Sequence, residues 1–95
     1  MKFIMFWDYD PKNLELILKK KKQLVELRKE NPEKYPEIVC GPFLYSGESK
    51  GLTIYNATND EQIVNLHLYY QPELELVFMP VVEVDTALDL ISQNK

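Results

Sequence analysis

Ninety-five residues carry eleven Lys and Arg against fifteen Asp and Glu, a formal net charge of −4. Apolar residues make up 45% and charged residues 27%, globular values that exclude a disordered, collagen-like or disulfide-built chain. The length fits a single domain over residues 1–95, and the acidic balance argues against nucleic acid as a partner. The one cysteine, Cys40, allows no intrachain disulfide and suits a reducing, cytoplasmic setting. The apolar run after Lys2 stops at Trp7, too short for a secretory signal, and no stretch approaches the 18 or so apolar residues of a membrane span. A soluble, unprocessed chain with no membrane partner is expected.

Residues 2–9 read as a strand with two apolar faces, Phe3, Met5, Trp7 and Tyr9 on one and Ile4 and Phe6 on the other. Asp10-Pro11 predicts a helix start, with Asp10 as cap and Pro11 in the first helical position. The helix is expected to run to about residue 30. Its stripe is Leu14, Ile17, Leu18, Leu24 and Val25, widened by Leu16 and Leu27, with Lys21 and Arg28 laying their methylene stems along it. Glu15–Lys19 and Glu30–Lys34 have favourable i,i+4 spacing. Pro32 and Pro36 end the helix. Charge concentrates here: residues 12–34 hold eight basic and four acidic side chains, and the remainder holds three basic and eleven acidic ones. A solvated helix face accounts for that bias.

Residues 37–45 form a second strand, which Gly41-Pro42 confines to a sheet edge or a bend. Ser46–Gly51 is a turn, and residues 52–57 return as the partner of a hairpin. Thr58 or Asn59 caps a helix over about 60–70, with Ile63, Leu66, His67 and Tyr70 on one face, stopped by Pro72. A long strand from Leu74 to Val84 contains Pro80, and a last short helix starts at Asp85 as cap and carries Ala87, Leu88 and Ile91. The order strand, helix, strand, strand, helix, strand is the split βαβ arrangement: an α+β, ferredoxin-like βαββαβ fold. It predicts a four-stranded antiparallel sheet with two helices on one face and an extra C-terminal helix. The second sheet face should be polar if it meets water, yet its residues are apolar as well. A patch of that size marks an interface or a groove, and a second copy is the simplest cover.

The strand ending in Trp7-Asp8-Tyr9, the helix led by Pro11, the Gly41-Pro42 strand, the Ser46–Gly51 hairpin and the final strand with Pro80 together resemble the dimeric α/β-barrel superfamily. Within it the chain is most similar to a small family of unknown function. The resemblance covers nearly the whole chain and rests on shape signals. It implies a ferredoxin-like subunit, a homodimer joined through the sheet faces into a barrel, and ligands held in the cleft between sheet and helices. Its members include cofactor-free monooxygenases, haem-degrading enzymes and small isomerases, but none of their catalytic motifs matches this chain residue by residue.

Candidate chemistry is sparse. His67, the one histidine, suits a general base near neutral pH, or an axial haem ligand as in some members of that superfamily. Its competing role is an ordinary helix-boundary side chain. Asp8 and Asp10 are two carboxylates at a strand end. Asp10 is already engaged as a cap, which leaves Asp8 as the second candidate base. Trp7, Tyr9, Tyr45 and Tyr55 are expected to line a pocket for a flat ligand, or else to form a core or an interface. Cys40 lacks a basic neighbour and is expected to be a buried, inert thiol. No metal-ligand spacing and no glycine-rich phosphate loop occurs, so neither a metal nor a cofactor is expected. The four lysines Lys19–Lys22 spread around the helix and cannot share a direction. Two functions follow: a dimeric domain binding a small apolar ligand or a protein partner in the cleft, or a cofactor-independent monooxygenase- or isomerase-like enzyme, with haem binding through His67 as a further variant.

Overall fold

Residues 1–94 are described by a computed structural model. Strands β1 (Lys2–Tyr9), β2 (Glu37–Leu44), β3 (Lys50–Asn56) and β4 (Leu74–Val81) form one open antiparallel sheet in the order β2-β3-β1-β4. Helix α1 (Leu14–Glu30) leads from β1 to β2, α2 (Asp60–Tyr70) leads from β3 to β4, and α3 (Val84–Gln93) follows β4. The class is α+β. Both prolines inside strands, Pro42 and Pro80, fall in the two edge strands, where a missing N–H leaves no inner ladder bond broken. The β2 register slips between Ile38 and Cys40 and again between Cys40 and Phe43, where Gly41 takes a positive φ of 92° that favours glycine.

The core lies on one side of the sheet. Phe3 and Met5 point to it from β1, and their cross-strand neighbours Tyr55, Thr53 and Phe78 share that face. Phe3 stacks on Tyr55 with ring centroids 5.5 Å apart and meets Phe78 edge-on at 5.6 Å. Leu24 of α1 and Leu66 and Tyr70 of α2 close over these rings. The α2 stripe that is buried is Gln62, Leu66 and Tyr70, four residues apart, so Ile63 and His67 flank the buried line and are only half-buried. Asn59 is the cap: its Oδ1 accepts from Gln62 N at 3.0 Å. Buried Gln62 accepts from Thr58 N at 2.9 Å and donates to Glu33 O at 3.0 Å, tying the segment after α1 to the start of α2.

Four boundaries and contacts differ from expectation. Asp10 accepts from Lys12 N and Pro11 opens a tight 3₁₀ turn over Pro11–Asn13, so α1 proper begins at Leu14. β4 ends at Val81 and not at Val84, because its only neighbour is β1 and the last pair is Lys2↔Val81. Helix α3 then starts at Val84 behind Glu83, not behind Asp85; the Glu83 carboxylate makes no cap bond and instead pairs with Lys2 Nζ at 2.7 Å. The ion pairs among the described residues are Lys2–Glu83, Lys20–Glu73 and Lys29–Glu26, and neither Glu15–Lys19 nor Glu30–Lys34 is among them. In the latter case α1 has ended before Lys34, whose Nζ lies over the Tyr35 ring.

The opposite sheet face carries Ile4, Phe6, Leu52, Ile54, Val77 and Met79, and among the described residues no helix packs over it. Cys40 pairs with Ile54 and is exposed, which corrects the expectation of a buried thiol: it belongs to an edge strand on the uncovered face. Every residue of α3 is exposed, including the apolar stripe Val84, Leu88 and Ile91.

Candidate functional site

Helix α1 is held to the body at its middle, and the segment after it is held as well, while between α1 and β2 the sheet face stays open. Lys20 Nζ donates to Glu73 Oε2 at 2.7 Å and to Tyr69 O at 3.0 Å, while Tyr69 Oη donates back to Lys20 O at 2.6 Å. At the far end, Asn65 Nδ2 donates to Lys34 O at 2.9 Å, and buried Tyr35 packs edge-on to Tyr69. Between helix and sheet lies a cavity of about 550 Å³. That volume is in the range that holds a small-molecule ligand.

The floor is Trp7, Thr53 and Tyr55, from the two inner strands. Trp7 Nε1 donates to Thr53 Oγ1 at 3.1 Å, which satisfies both polar atoms within the floor and fixes the indole plane. The indole lies over Gly51, its partner in the β1–β3 register. A Cβ there would overlap both the Trp7 ring and the Phe43 carbonyl oxygen. Tyr9 stands beside Trp7 with ring centroids 6.0 Å apart. One wall is the α1 stripe of Leu14, Ile17, Leu18 and Val25, and the other is Ile38, Pro42 and Leu44 of β2. Burial pushes the Tyr55 phenol far above its ordinary value, reinforced by neighbouring Tyr70 and opposed by Thr53. Burial does the same to Tyr70, with Tyr69 adding to it. The floor is therefore neutral and carries no base at physiological pH. The charged residues of the lining are Lys21, Arg28, Lys29 and Glu37.

Of the aromatic side chains expected to meet in a pocket, Trp7, Tyr9 and Tyr55 line this cleft. Tyr45 does not. It follows Leu44, which occupies the helix side opposite Gly51, so the next residue turns away; its N–H closes the hairpin on Lys50 O at 2.9 Å. Tyr45 borders instead a shallow depression with Phe6, Asp8 and Lys50. Asp8 is exposed at the end of β1, between Lys50 and Glu75 in the pairing. His67 packs its ring against Phe78, 5.8 Å between centroids, and is not part of the cleft lining. Neither candidate base is brought to the cleft. Among the described residues no three His, Cys, Asp or Glu side chains converge on a common point that could hold a metal ion.

Sequence reasoning missed the Trp7–Thr53 hydrogen bond and the β2 wall. Both depend on the β1–β3 and β2–β3 registers, and the sequence signal for them was only the alternation of Thr53 with Leu52 and Ile54. No protein-family model matches the chain, and no curated protein matches it.

Proposed function

We propose that the chain is a ferredoxin-like subunit of a face-to-face homodimer, and that the cleft between α1 and the sheet binds a small apolar ligand. The observation that carries the ligand reading is the cleft itself: an apolar cavity of about 550 Å³ with an indole and a phenol in its floor. The subunit reading is supported by the βαββαβ order, by β1 and β3 as the inner strands, and by α1 and α2 both packing on the Phe3 face. The dimer reading is supported by the uncovered apolar face, where Val77 and Met79 are 63% and 49% exposed in a lone chain.

The enzyme alternative needs a base in the cleft, and neither His67 nor Asp8 lines it. Binding without catalysis is the reading the lining supports. Trp7 is the single tryptophan and stands in the cleft floor, so its emission reports occupancy directly. Titrating dodecan-1-ol, a neutral apolar probe, should change Trp7 emission saturably, and native mass spectrometry should give twice 11.2 kDa. An unresponsive tryptophan overturns the ligand reading, and a monomeric mass overturns the dimer.

A further inference from the structure

The cleft is apolar except along one lip, and there the three charged side chains that α1 supplies share one sign. Lys21, Arg28 and Lys29 all line it. Lys21 and Arg28 are seven residues apart, two helical turns, which puts both on the same face as the apolar stripe. Arg28 is half-buried, and its Nε is shielded from solvent with no hydrogen-bond partner. A buried guanidinium N–H without an acceptor is costly. Its place in the last turn of α1 favours a cation through the helix dipole, but that field supplies no acceptor for Nε. Among the described residues no carboxylate lies within ion-pair distance of Arg28; Glu37 is the single acid in the lining and is not paired with it.

We infer that the ligand of this cleft is an amphiphile ending in a carboxylate, with the carboxylate at Arg28 and the apolar body over Trp7 between the α1 and β2 walls. The inference rests on the proposal that the cleft binds an apolar ligand, and it adds the head group. A carboxylate is the group whose two oxygens match the planar fork of a guanidinium, and among the described residues Arg28 has no carboxylate of its own to pair with. Lys21 is exposed and contributes a favourable field at the lip, whereas Lys29 is paired with Glu26 at 3.3 Å. The neutral floor has no charge to oppose the tail.

The test compares dodecanoate and dodecylammonium below their micelle concentrations, and dodecan-1-ol below its solubility limit, by Trp7 emission and calorimetry. Dodecanoate should bind at least about tenfold tighter than the alcohol, as a charge-assisted hydrogen bond implies, and the ammonium should bind weakest. Arg28→Gln should cut the acid-to-alcohol ratio about tenfold, and Arg28→Lys should restore part of it. Equal binding of acid and alcohol by the native chain overturns the head-group assignment and leaves the apolar cleft standing. An unchanged ratio in Arg28→Gln does the same. If no probe binds, the cleft proposal itself fails. The comparison on the native chain decides the matter even where the Arg28 variants do not fold.

Discussion

Gly51 is a position where one hydrogen atom in place of a methyl group decides how a floor is built. Its partner across the β1–β3 ladder is Trp7, and a Cβ would overlap both the indole and the Phe43 carbonyl oxygen. The second obstacle is backbone, which a rotamer change cannot relieve. Gly51→Ala should therefore cost about 1–3 kcal/mol in chemical unfolding and shift Trp7 emission to longer wavelength; unchanged stability and emission would contradict this packing. Two phenols give a second residue-level prediction. Burial raises Tyr55 and Tyr70 above the ordinary tyrosine value, so the fold favours their protonated forms. That contribution is intact below about pH 10, where an unfolded tyrosine titrates, and is lost as pH rises beyond it. In an alkaline titration read by phenolate absorbance, Tyr55 and Tyr70 should stay silent until the chain unfolds. Ionisation of all six tyrosines with the fold intact would refute it. Strand alternation was enough to put Trp7 and Tyr9 on a common face. It could not place Tyr45, whose direction depends on where β2 stops pairing.

Between elements, one contact that fastens α1 to the body is the clamp from Lys20 to Glu73, just before β4. Lys20 and Glu73 meet at 2.7 Å with side chains only 20% and 15% exposed, and the Lys20–Tyr69 exchange of hydrogen bonds braces them. The hydrogen bond from Lys20 is the first reason the Glu73 carboxyl is held below the usual carboxylate range. A lowered folded value means that the contribution is present above the unfolded carboxylate value, about 4.3, and is lost as pH falls through the folded one. Urea midpoints should fall through this acid window in the native chain. Glu73→Gln should lower the neutral-pH midpoint and flatten the acid-side slope, and an identical pH profile for the two proteins would show that the clamp carries no stability. The α1 stripe was readable because the 3.6-residue period survives Lys21 and Arg28 within it; those two then proved to stand on the cleft lip. The end of β4 was not readable, since nothing in Val82–Val84 says that β1 begins only at Lys2.

Over the whole molecule, the extents are 53 × 35 × 18 Å, and the radius of gyration is 15.3 Å. A compact chain of this length would have about 12 Å. The excess belongs with α3, every residue of which is exposed, and the short axis reflects helices over one sheet face only. If two copies pair across the bare face, an unpaired charge there should oppose them. Met79 is half exposed in a single chain, so Met79→Asp should leave monomer stability near the native value while weakening dimerisation about tenfold or more. Sedimentation across a concentration series checks both halves; equal association by native and variant chains would move the interface elsewhere. The apolar second face was plain in the residue alternation of β1 and β4, whereas the outward reach of α3 was not, because an amphipathic stripe does not say which surface it will meet.

That outward reach has a consequence for how the molecule opens. Ten residues are too few for a helix to persist by itself in water, and among the described residues the one ion pair near its start is Lys2–Glu83, in solvent. Resistance to local unfolding should therefore fall from one end of the long axis to the other. In heavy water the amides of β1 and β3 should retain their protons longest, and those of Val84–Gln93 should lose them first. A protease at limiting dose should cut after β4 and leave residues 1–81, sheet and cleft together, as the surviving fragment.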